Sequence, residues 1–261
     1  MFLKRLLKCF FNIKRLKGEL NMKYFISSDI HSYYDLWMEQ LNIRGYNKDN
    51  PDHFLIVCGD LFDRGPDPIK CLQFVNSIPN DKKALIRGNH EDLLINVLHK
   101  CRLDYYDYRN GTEATVNSLI NYMAEKTNYK VDNFKDACKR LLSFNELTKY
   151  YNSLVNYYET DNFICVHGWY PHWSPDWRND LKGWEEARWD DGFSNAFNKN
   201  NKTGKDIIFG HKFCGFGRTI EDISKKEQVD KYTEPYYGTD FIAIDARTAY
   251  TNRVNVITII E

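Results

Sequence analysis

The sequence predicts an α/β fold, and two observations support that prediction. Five short apolar runs are typical of buried strands, and each is followed by Asp, Asn or His at the point where the strand would end. Helical spacing of apolar residues follows some of these runs, as in residues 33–44 and 92–98. Because open α/β sheets bind ligands beyond the carboxyl ends of their strands, five polar strand ends indicate a functional site.

The central stretch is Cys58-Gly59-Asp60-Leu61-Phe62-Asp63-Arg64-Gly65. It follows the apolar run 54–57 and precedes a predicted helix that Pro66 introduces. Two carboxylates, a guanidinium and two glycines therefore stand where a strand becomes a turn. A charged surface turn is the simpler interpretation, but the same arrangement recurs elsewhere in the chain and argues against it.

The other four strand ends carry the same kinds of side chain. They are Asp29-Ile30-His31 after residues 23–28, Asn89-His90 after 83–87, His167 after 163–166 and His211 after 207–209. We expect extended backbone at Asp29-Ile30-His31, so that both side chains leave one face and bind the same ion. Mixed oxygen and imidazole ligands suit Mn, Fe or Zn better than Ca, and they do not choose among the first three.

Taken in order, these motifs resemble those of the calcineurin-like metallophosphoesterase superfamily. The form Asp63-Arg64-Gly65 is similar to the phosphoprotein-phosphatase branch, which includes bacterial and phage serine/threonine phosphatases and the diadenosine tetraphosphate hydrolases. The resemblance extends from Asp29 to His211, with a further echo at Ile244-Asp245. It implies a four-layer α/β/β/α sandwich with two mixed sheets.

The resemblance also implies a site with two divalent ions, for which we expect Mn, with Fe or Zn as the other options. One ion would be bound by Asp29, His31, Asp60 and His211, and the other by Asp60, Asn89 and His167. A hydroxide that bridges the ions would attack phosphorus directly, without a phosphoenzyme intermediate.

The resemblance assigns the remaining matched residues to catalysis and substrate binding. His90 matches the general acid that protonates the leaving group, and Asp63 matches the residue that orients it. The predicted substrate-binding residues are Arg64, Asn89 and Arg188. Arg188 is favoured because a second phosphate-binding arginine is expected between His167 and His211, although Arg178 competes for that role.

The chain departs from the family pattern in three places. Lys212 follows His211 where threonine is usual, and Ala246-Arg247 replaces a small pair after Asp245. Thr112 replaces the second glycine of an Asn-Gly-Gly-x-x-Thr turn, and such a glycine can have positive φ. We expect the helical residues 115–144 to cover the site.

Length and composition indicate one globular domain. The chain has 261 residues without a Pro/Gly/Ser-rich linker, and its 36 basic and 36 acidic residues cancel. There is thus no overall electrostatic argument for a nucleic-acid partner. Seven scattered cysteines, without a Cys-x-x-Cys pair, predict a reduced cytoplasmic protein.

Residues 1–21 differ from the domain that we assign to residues 22–261. Six basic residues outnumber a single acid in this segment, and apolar residues fall at near-helical spacing. The segment is therefore predicted to be a basic amphipathic extension with weak affinity for an anionic membrane surface. Alternatively, Met22 is the natural start of the protein.

Two enzymatic functions are compatible with these motifs. The leading hypothesis is hydrolysis of phosphoserine or phosphothreonine in proteins. The alternative is symmetrical cleavage of a dinucleoside polyphosphate, with stacking of bases on the tryptophans in residues 169–189. Those tryptophans suit a loop-rich satellite core equally well. A catalytically idle adaptor is disfavoured, because it would not need to keep a general acid such as His90.

Overall fold

A computed structural model describes residues 22–261, apart from the side chains of residues 225 and 227. The predicted extension, residues 1–21, lies outside the described residues, and its membrane contact stays a prediction. No helix in residues 22–261 is long and apolar enough to cross a membrane.

The strands of the described chain form two mixed sheets of five strands each. In chain order they are β1 (Lys23–Ser27), β2 (His53–Cys58), β3 (Lys83–Ile86), β4 (Leu154–Val155), β5 (Tyr158–Glu159), β6 (Phe163–Cys165), β7 (Asp206–Phe209), β8 (Tyr236–Tyr237), β9 (Phe241–Ala243) and β10 (Val256–Ile260). The first sheet has the order β10-β1-β2-β3-β4, and only β10 is antiparallel to its neighbour. The second has the order β5-β6-β7-β9-β8, in which β6, β7 and β9 are parallel.

Helices cover the outer face of each sheet. In chain order they are α1 (Tyr34–Ile43), α2 (Pro68–Ser77), α3 (Asn89–Lys100), α4 (Tyr105–Asn110), α5 (Thr112–Thr127), α6 (Phe134–Leu141), α7 (Asn145–Ser153), α8 (Leu181–Ala187), α9 (Gly192–Phe197), α10 (Gly215–Glu221) and α11 (Thr248–Thr251). Helices α1 to α3 and α5 to α7 contribute to the core on the first sheet, whereas α8 and α9 contribute to the core on the second.

A third core lies between the two sheets, which explains why the strand sequences are continuously apolar. In β2, Leu55 and Val57 face the helices, while Phe54 and Ile56 face the second sheet, because side chains alternate along a strand. Both faces of the strand are therefore buried. The four layers are helices, sheet, sheet and helices, as the resemblance implies.

Residues 115–144 do not form a cover over the site, and that prediction is wrong. Val116, Leu119 and Leu141 are fully buried in the core on the first sheet. Only the beginning of α5 reaches the strand ends that carry the predicted ligands, as described below.

The tryptophans of residues 169–189 differ in burial. Trp169 and Trp184 are buried in the core on the second sheet, whereas Trp189 is 51% exposed.

Candidate metal centre

The ends of β1 and β2 are joined by backbone hydrogen bonds that bring their polar residues together. The amide of Asp29 donates to the carbonyl of Gly59 at 3.2 Å, and the amide of His31 donates to that of Asp60 at 3.0 Å. The second sheet is tied to the same place, since the amide of His211 donates to Asp29 Oδ2 at 2.9 Å. All of these strand ends therefore meet at one edge of the sandwich.

Asp60 lies at the centre of this cluster. Its Oδ1 is 3.3 Å from His167 Nε2, and its Oδ2 is 3.8 Å from His31 Nε2. Two groups of metal-ligand atoms occur among the described residues, and both contain Asp60. They are His31, Asp60 and His90, and Asp60, His167 and His211. Membership of both groups is the arrangement expected of a carboxylate that bridges two ions.

Hydrogen bonds to backbone carbonyls orient two of the imidazoles for metal binding. His31 Nδ1 donates to the carbonyl of Phe62 at 2.9 Å, and His167 Nδ1 donates to that of Cys58 at 2.7 Å. A carbonyl only accepts, so the proton lies on Nδ1 and the Nε2 lone pair of each ring faces Asp60. Burial lowers the pKa of His31 well below its usual range, which favours the neutral ring that binds metals.

The carboxylates also fit a bound cation. Burial, reinforced by the neighbouring charge of Asp29, raises the pKa of Asp60 well above its usual range. A divalent cation would offset the cost of keeping these acids ionised side by side. Burial, followed by the charges of His167 and Lys212, lowers the pKa of His211 to about 2, so this ring is also neutral. The donor set therefore fits two divalent ions.

His211 lies beside the side chains predicted to bind the second ion. His211 Nδ1 lies 3.0 Å from Asn89 Oδ1, and His167 Nε2 lies 2.8 Å from the same oxygen. Asp29 Oδ2 accepts hydrogen bonds from the hydroxyl of Ser28 and the amide of His211. The structure thus places His211 with the second predicted group, and its assignment to the ion bound by His31 stays a prediction.

The backbone at the site is strained, which sequence reasoning did not foresee. Extended backbone was expected at Asp29 and His31, but their φ values are 53° and 49°, so that expectation is wrong. Most non-glycine residues with positive φ in residues 22–261 surround the site, namely Asp29, His31, Ser32, Asp60, Asp63, Arg64, His211 and Arg247. Each costs on the order of 1–3 kcal/mol, and such residues concentrate at functional sites.

Glu91 holds the strained turn after β2 in place. Its carboxylate is fully buried and accepts hydrogen bonds from the backbone amides of Asp60, Leu61 and Gly88 at 2.8–3.0 Å. The hydroxyl of Tyr150 donates to the same group at 2.9 Å. Sequence reasoning assigned no role to Glu91, although it belongs to the Gly-Asn-His-Glu motif; its partners come from distant segments.

His90 and Asp63 form the predicted pair. His90 Nδ1 donates to Asp63 Oδ2 at 2.7 Å, and the hydroxyl of Thr112 donates to the same oxygen at 2.7 Å. Burial raises the pKa of Asp63 to about 7, against the opposing effect of its hydrogen bonds with Thr112 and Thr115. Burial also lowers the pKa of His90 well below its usual range. The pair therefore orients the ring, with Nε2 directed away from Asp63.

The turn before α5 also explains the threonine that replaces a glycine. Gly111 takes the left-handed conformation with φ of 80°, and Thr112 begins the helix. A Cβ on Gly111 would lie 2.4 Å from the backbone nitrogen of Arg64. Positive φ is therefore needed only at Gly111, and Thr112 is free to bind Asp63.

Arg64 extends across the site. Its Nη1 donates to His31 Nε2 at 2.9 Å, and its Nη2 donates to His90 Nε2 at 3.1 Å. Arg64 lines a cavity of about 220 Å³ together with His90 and every predicted metal ligand except His167. Asp245, which sequence reasoning did not assign, is buried in the same lining, and burial raises the pKa of its carboxyl well above the usual range.

Neither candidate for the second phosphate-binding arginine lines this cavity. Arg188 is buried and donates to Asp92 Oδ2 at 2.7 Å and to Asn156 Oδ1 at 3.0 Å, beside a separate cavity of about 780 Å³. Arg178 forms a two-pronged ion pair with Glu159 at 2.7 and 2.9 Å. The role of Arg188 in phosphate binding stays a prediction, and it requires Arg188 to leave Asp92.

Paired sheets that bring carboxylates, histidines and an arginine together at their strand ends define a dinuclear metallophosphoesterase site. The comparison with known families agrees: the calcineurin-like phosphoesterase model matches residues 22–244, and the chain belongs to that family. This membership confirms the resemblance and supports classification of the chain as a hydrolase of phosphoester bonds.

Curated relatives with different substrates resemble parts of the chain. A symmetrical bis(5'-nucleosyl)-tetraphosphatase of Buchnera aphidicola is 33% identical over 113 residues, which are 42% of this chain and 39% of that protein. Serine/threonine-protein phosphatase 1 of Salmonella typhimurium is 29% identical over 82 residues, which are 31% of this chain and 36% of that protein. The chain thus spans less than half of the length of these relatives.

Solved structures resemble nearly the whole chain at low identity. A protein provisionally identified as a diadenosine tetraphosphatase has a TM-score of 0.53 and 13% identity, covering 92% of this chain and 93% of that one. A variant of a cold-active protein tyrosine phosphatase has a TM-score of 0.56 and 15% identity, covering 91% of this chain and 75% of that one. At these identities the likeness shows the fold alone.

Proposed function

We propose that the protein hydrolyses phosphate monoesters of serine and threonine side chains in proteins. The observation that supports this proposal is the buried His90–Asp63 pair, joined at 2.7 Å, of which His90 lines the cavity of the predicted metal ligands. A serine alkoxide is a very poor leaving group and needs a proton as the P–O bond breaks. An imidazole that a carboxylate orients can supply that proton once both of its ring nitrogens are protonated.

Three residues of the cavity lining would then have defined tasks in binding and proton transfer. Arg64 would bind phosphate oxygens with its planar fork of N–H groups, which now contact His31 and His90. Asn89 would orient the phosphate through its amide group. His90 would hold the transferred proton on Nε2, while Asp63 accepts a hydrogen bond from Nδ1 and stabilises the charged ring.

The metal ligands would be Asp29, His31, Asp60, Asn89, His167 and His211, and we propose Mn as the ion, with Fe or Zn as alternatives. Two such ions lower the pKa of a water and stabilise charge on the phosphoryl group. Asp60, which lies within 4 Å of His31 and His167, is the residue that would serve both ions.

Free thiols at Cys58, Cys71, Cys165 and Cys214 support a reducing, cytoplasmic location.

A second candidate is symmetrical hydrolysis of a dinucleoside polyphosphate. It is favoured by the similarity to the tetraphosphatase of Buchnera aphidicola, which covers 42% of the chain. The serine/threonine-protein phosphatase of Salmonella typhimurium also matches a part of the chain, so similarity alone does not decide between the two candidates.

A parallel assay separates the two candidates. The Mn-loaded protein is given a phosphoserine peptide and, separately, diadenosine tetraphosphate, and kcat/KM is measured for each. We expect the peptide to have the higher value. A higher value for diadenosine tetraphosphate would overturn the proposal in favour of the second candidate.

A further inference from the structure

Arg247 is a second arginine in the lining of the cavity that contains Arg64. Both arginines line the same space of about 220 Å³. Arg64 donates to His31 and His90, whereas Arg247 donates to Asp230, which is not part of the cavity lining. The cavity therefore offers a second guanidinium.

The guanidinium of Arg247 is held by aromatic rings. Its Cζ lies 4.7 Å from the ring centre of Phe213 and 4.2 Å from that of Tyr250. Such contacts fix the plane of the group while leaving its N–H edge available. Within the described residues, only Nη1 has a hydrogen-bond partner, the carboxylate of Asp230. Nε and Nη2 are free to bind another anion.

The backbone of Arg247 indicates that the side chain has a function. Its φ is 59°, in the left-handed region that favours glycine. The family pattern has two small residues at positions 246–247. In this chain Arg247 takes the second position, so a long cationic side chain stands where a small residue fits more easily. A strained residue of this kind in the lining of a site is the observation from which a role is inferred.

We propose that Arg247 binds an acidic side chain next to the phosphorylated residue of a peptide substrate. This proposal rests on the proposed protein phosphatase function and adds a preference for acidic flanking sequence. Arg247 already pairs with a carboxylate, that of Asp230, and the Asp230 side chain is 60% exposed. An exposed ion pair contributes little, so a substrate carboxylate can replace it. Because a residue spans only ~3.5 Å, the acid must lie within one or two positions of the phosphoserine.

Two phosphoserine peptides that differ only in a flanking Asp or Asn test this proposal. We expect wild type to hydrolyse the Asp peptide with a kcat/KM about fivefold higher, which corresponds to ~1 kcal/mol for one partly exposed charge contact. Arg247→Gln should reduce this ratio to near one. Asp230→Asn should raise it, because it removes the competing carboxylate.

Arg253→Gln is the matched control. Arg253 pairs with Glu234 at 3.3 Å, is 62% exposed, and is not part of the cavity lining. Arg253→Gln changes the net charge by the same amount as Arg247→Gln. Because Arg253 lies outside the cavity lining, this variant should keep the wild-type ratio of kcat/KM values. A ratio near one in wild type, or equal losses on both peptides in Arg247→Gln, would overturn the proposal and assign Arg247 to the scissile phosphate or to folding.

Phosphonate analogues of the two peptides separate this proposal from the function on which it rests. They cannot be hydrolysed, and their Ki is measured against turnover of p-nitrophenyl phosphate. If neither phosphopeptide is a substrate, the protein phosphatase function fails, yet a Ki ratio that Arg247→Gln abolishes would still support the anion contact. Equal Ki values for wild type would overturn it.

Discussion

At the residue scale, the chemistry depends on which nitrogen of each histidine faces the cavity. Backbone carbonyls accept hydrogen bonds from Nδ1 of His31 and His167, whereas the carboxylate of Asp63 accepts one from Nδ1 of His90. A carbonyl only holds a ring in one orientation, but a carboxylate also stabilises the protonated ring. This difference distinguishes the two proposed metal ligands from the residue proposed as the general acid.

The leaving group provides the first test at this scale. His90→Asn should slow hydrolysis of a phosphoserine peptide by about 10²–10⁴-fold, because the serine alkoxide needs a proton. Turnover of p-nitrophenyl phosphate should fall far less, since nitrophenolate leaves without help. Asp63→Asn should show the same bias more weakly, because it misorients the ring without removing it. Both rates are measured at matched metal content.

Thr112 offers a conservative check on the same pair. Thr112→Ser keeps the hydroxyl that donates to Asp63 Oδ2 and should preserve the wild-type ratio of the two rates.

Equal losses on both substrates in His90→Asn would assign His90 to binding or to metal organisation.

At the scale of elements, the beginning of α3 organises the end of β2. Helix α3 starts at Asn89, so its first turn supplies the proposed ligand Asn89, the proposed acid His90 and the buried Glu91 in succession. Glu91 reaches back to the backbone amides of Asp60 and Leu61. One helical turn thereby sets the conformation of the strand end that bears the shared carboxylate.

Glu91→Gln should therefore destabilise the protein by about 2–4 kcal/mol. The amide nitrogen would face backbone N–H groups, which leaves buried donors without acceptors. Tyr150→Phe is the matched comparison, because it removes only one donor to Glu91 and should cost about 1 kcal/mol. The free energy of unfolding in urea measures both. Equal costs for the two variants would contradict the role of Glu91.

The edge of the second sheet carries ion pairs that are separate from the site. Glu159 in β5 accepts hydrogen bonds from Arg178 at 2.7 Å and from Lys205 at 2.9 Å. The hydrogen bonds from Arg178, followed by those from Lys205, lower the pKa of Glu159 to about 2 from its ordinary 4.5, against the opposing effect of burial. This partnership explains why Arg178 is not available to the phosphate site.

The sign of the shift predicts the pH dependence of these ion pairs. A carboxyl whose pKa is lower in the folded state stabilises the protein above its unfolded pKa, so the contribution is complete above about pH 4.5 and falls towards pH 2. Solvent exposure of Arg178 reduces its size to about 1 kcal/mol. Urea unfolding of wild type and Glu159→Gln should differ by that amount at pH 7 and by less at pH 3. Glu186→Gln, on an exposed position of α8, should show neither effect.

At the scale of the whole molecule, the site joins two sheets whose facing sides pack through an apolar core. The His211 amide on the second sheet donates to Asp29 on the first, and ligands come from both sheets. Metal binding should therefore stabilise the association of the two halves.

Loading with Mn should raise Tm and approach two ions per chain. At an ion concentration 100 times Kd, each site adds about 2.7 kcal/mol. Asp60→Asn should lose most of this gain, because Asp60 belongs to both ligand groups. Asp35→Asn, with a side chain that is 78% exposed, is the control and should keep it. Calorimetry and elemental analysis measure both effects, and a wild-type Tm unchanged by Mn would contradict the site.

The sequence by itself determined the strands that carry the site and the polar side chains that stand at their ends. Both are local properties: an apolar run buried on two faces is continuous, and a polar group at its end is visible without knowledge of its neighbours. The two-residue strands β4, β5 and β8 escaped prediction because runs that short carry no period.

Only the tertiary structure decided the partner of each charged side chain. Arg188 meets Asp92, Arg178 meets Glu159, and Arg247 faces the cavity, although the sequence favoured the first two for phosphate binding. The choice depends on which segments, distant in the chain, pack side by side. A guanidinium pairs with the carboxylate that folding brings within reach, and spacing along the sequence does not contain that distance.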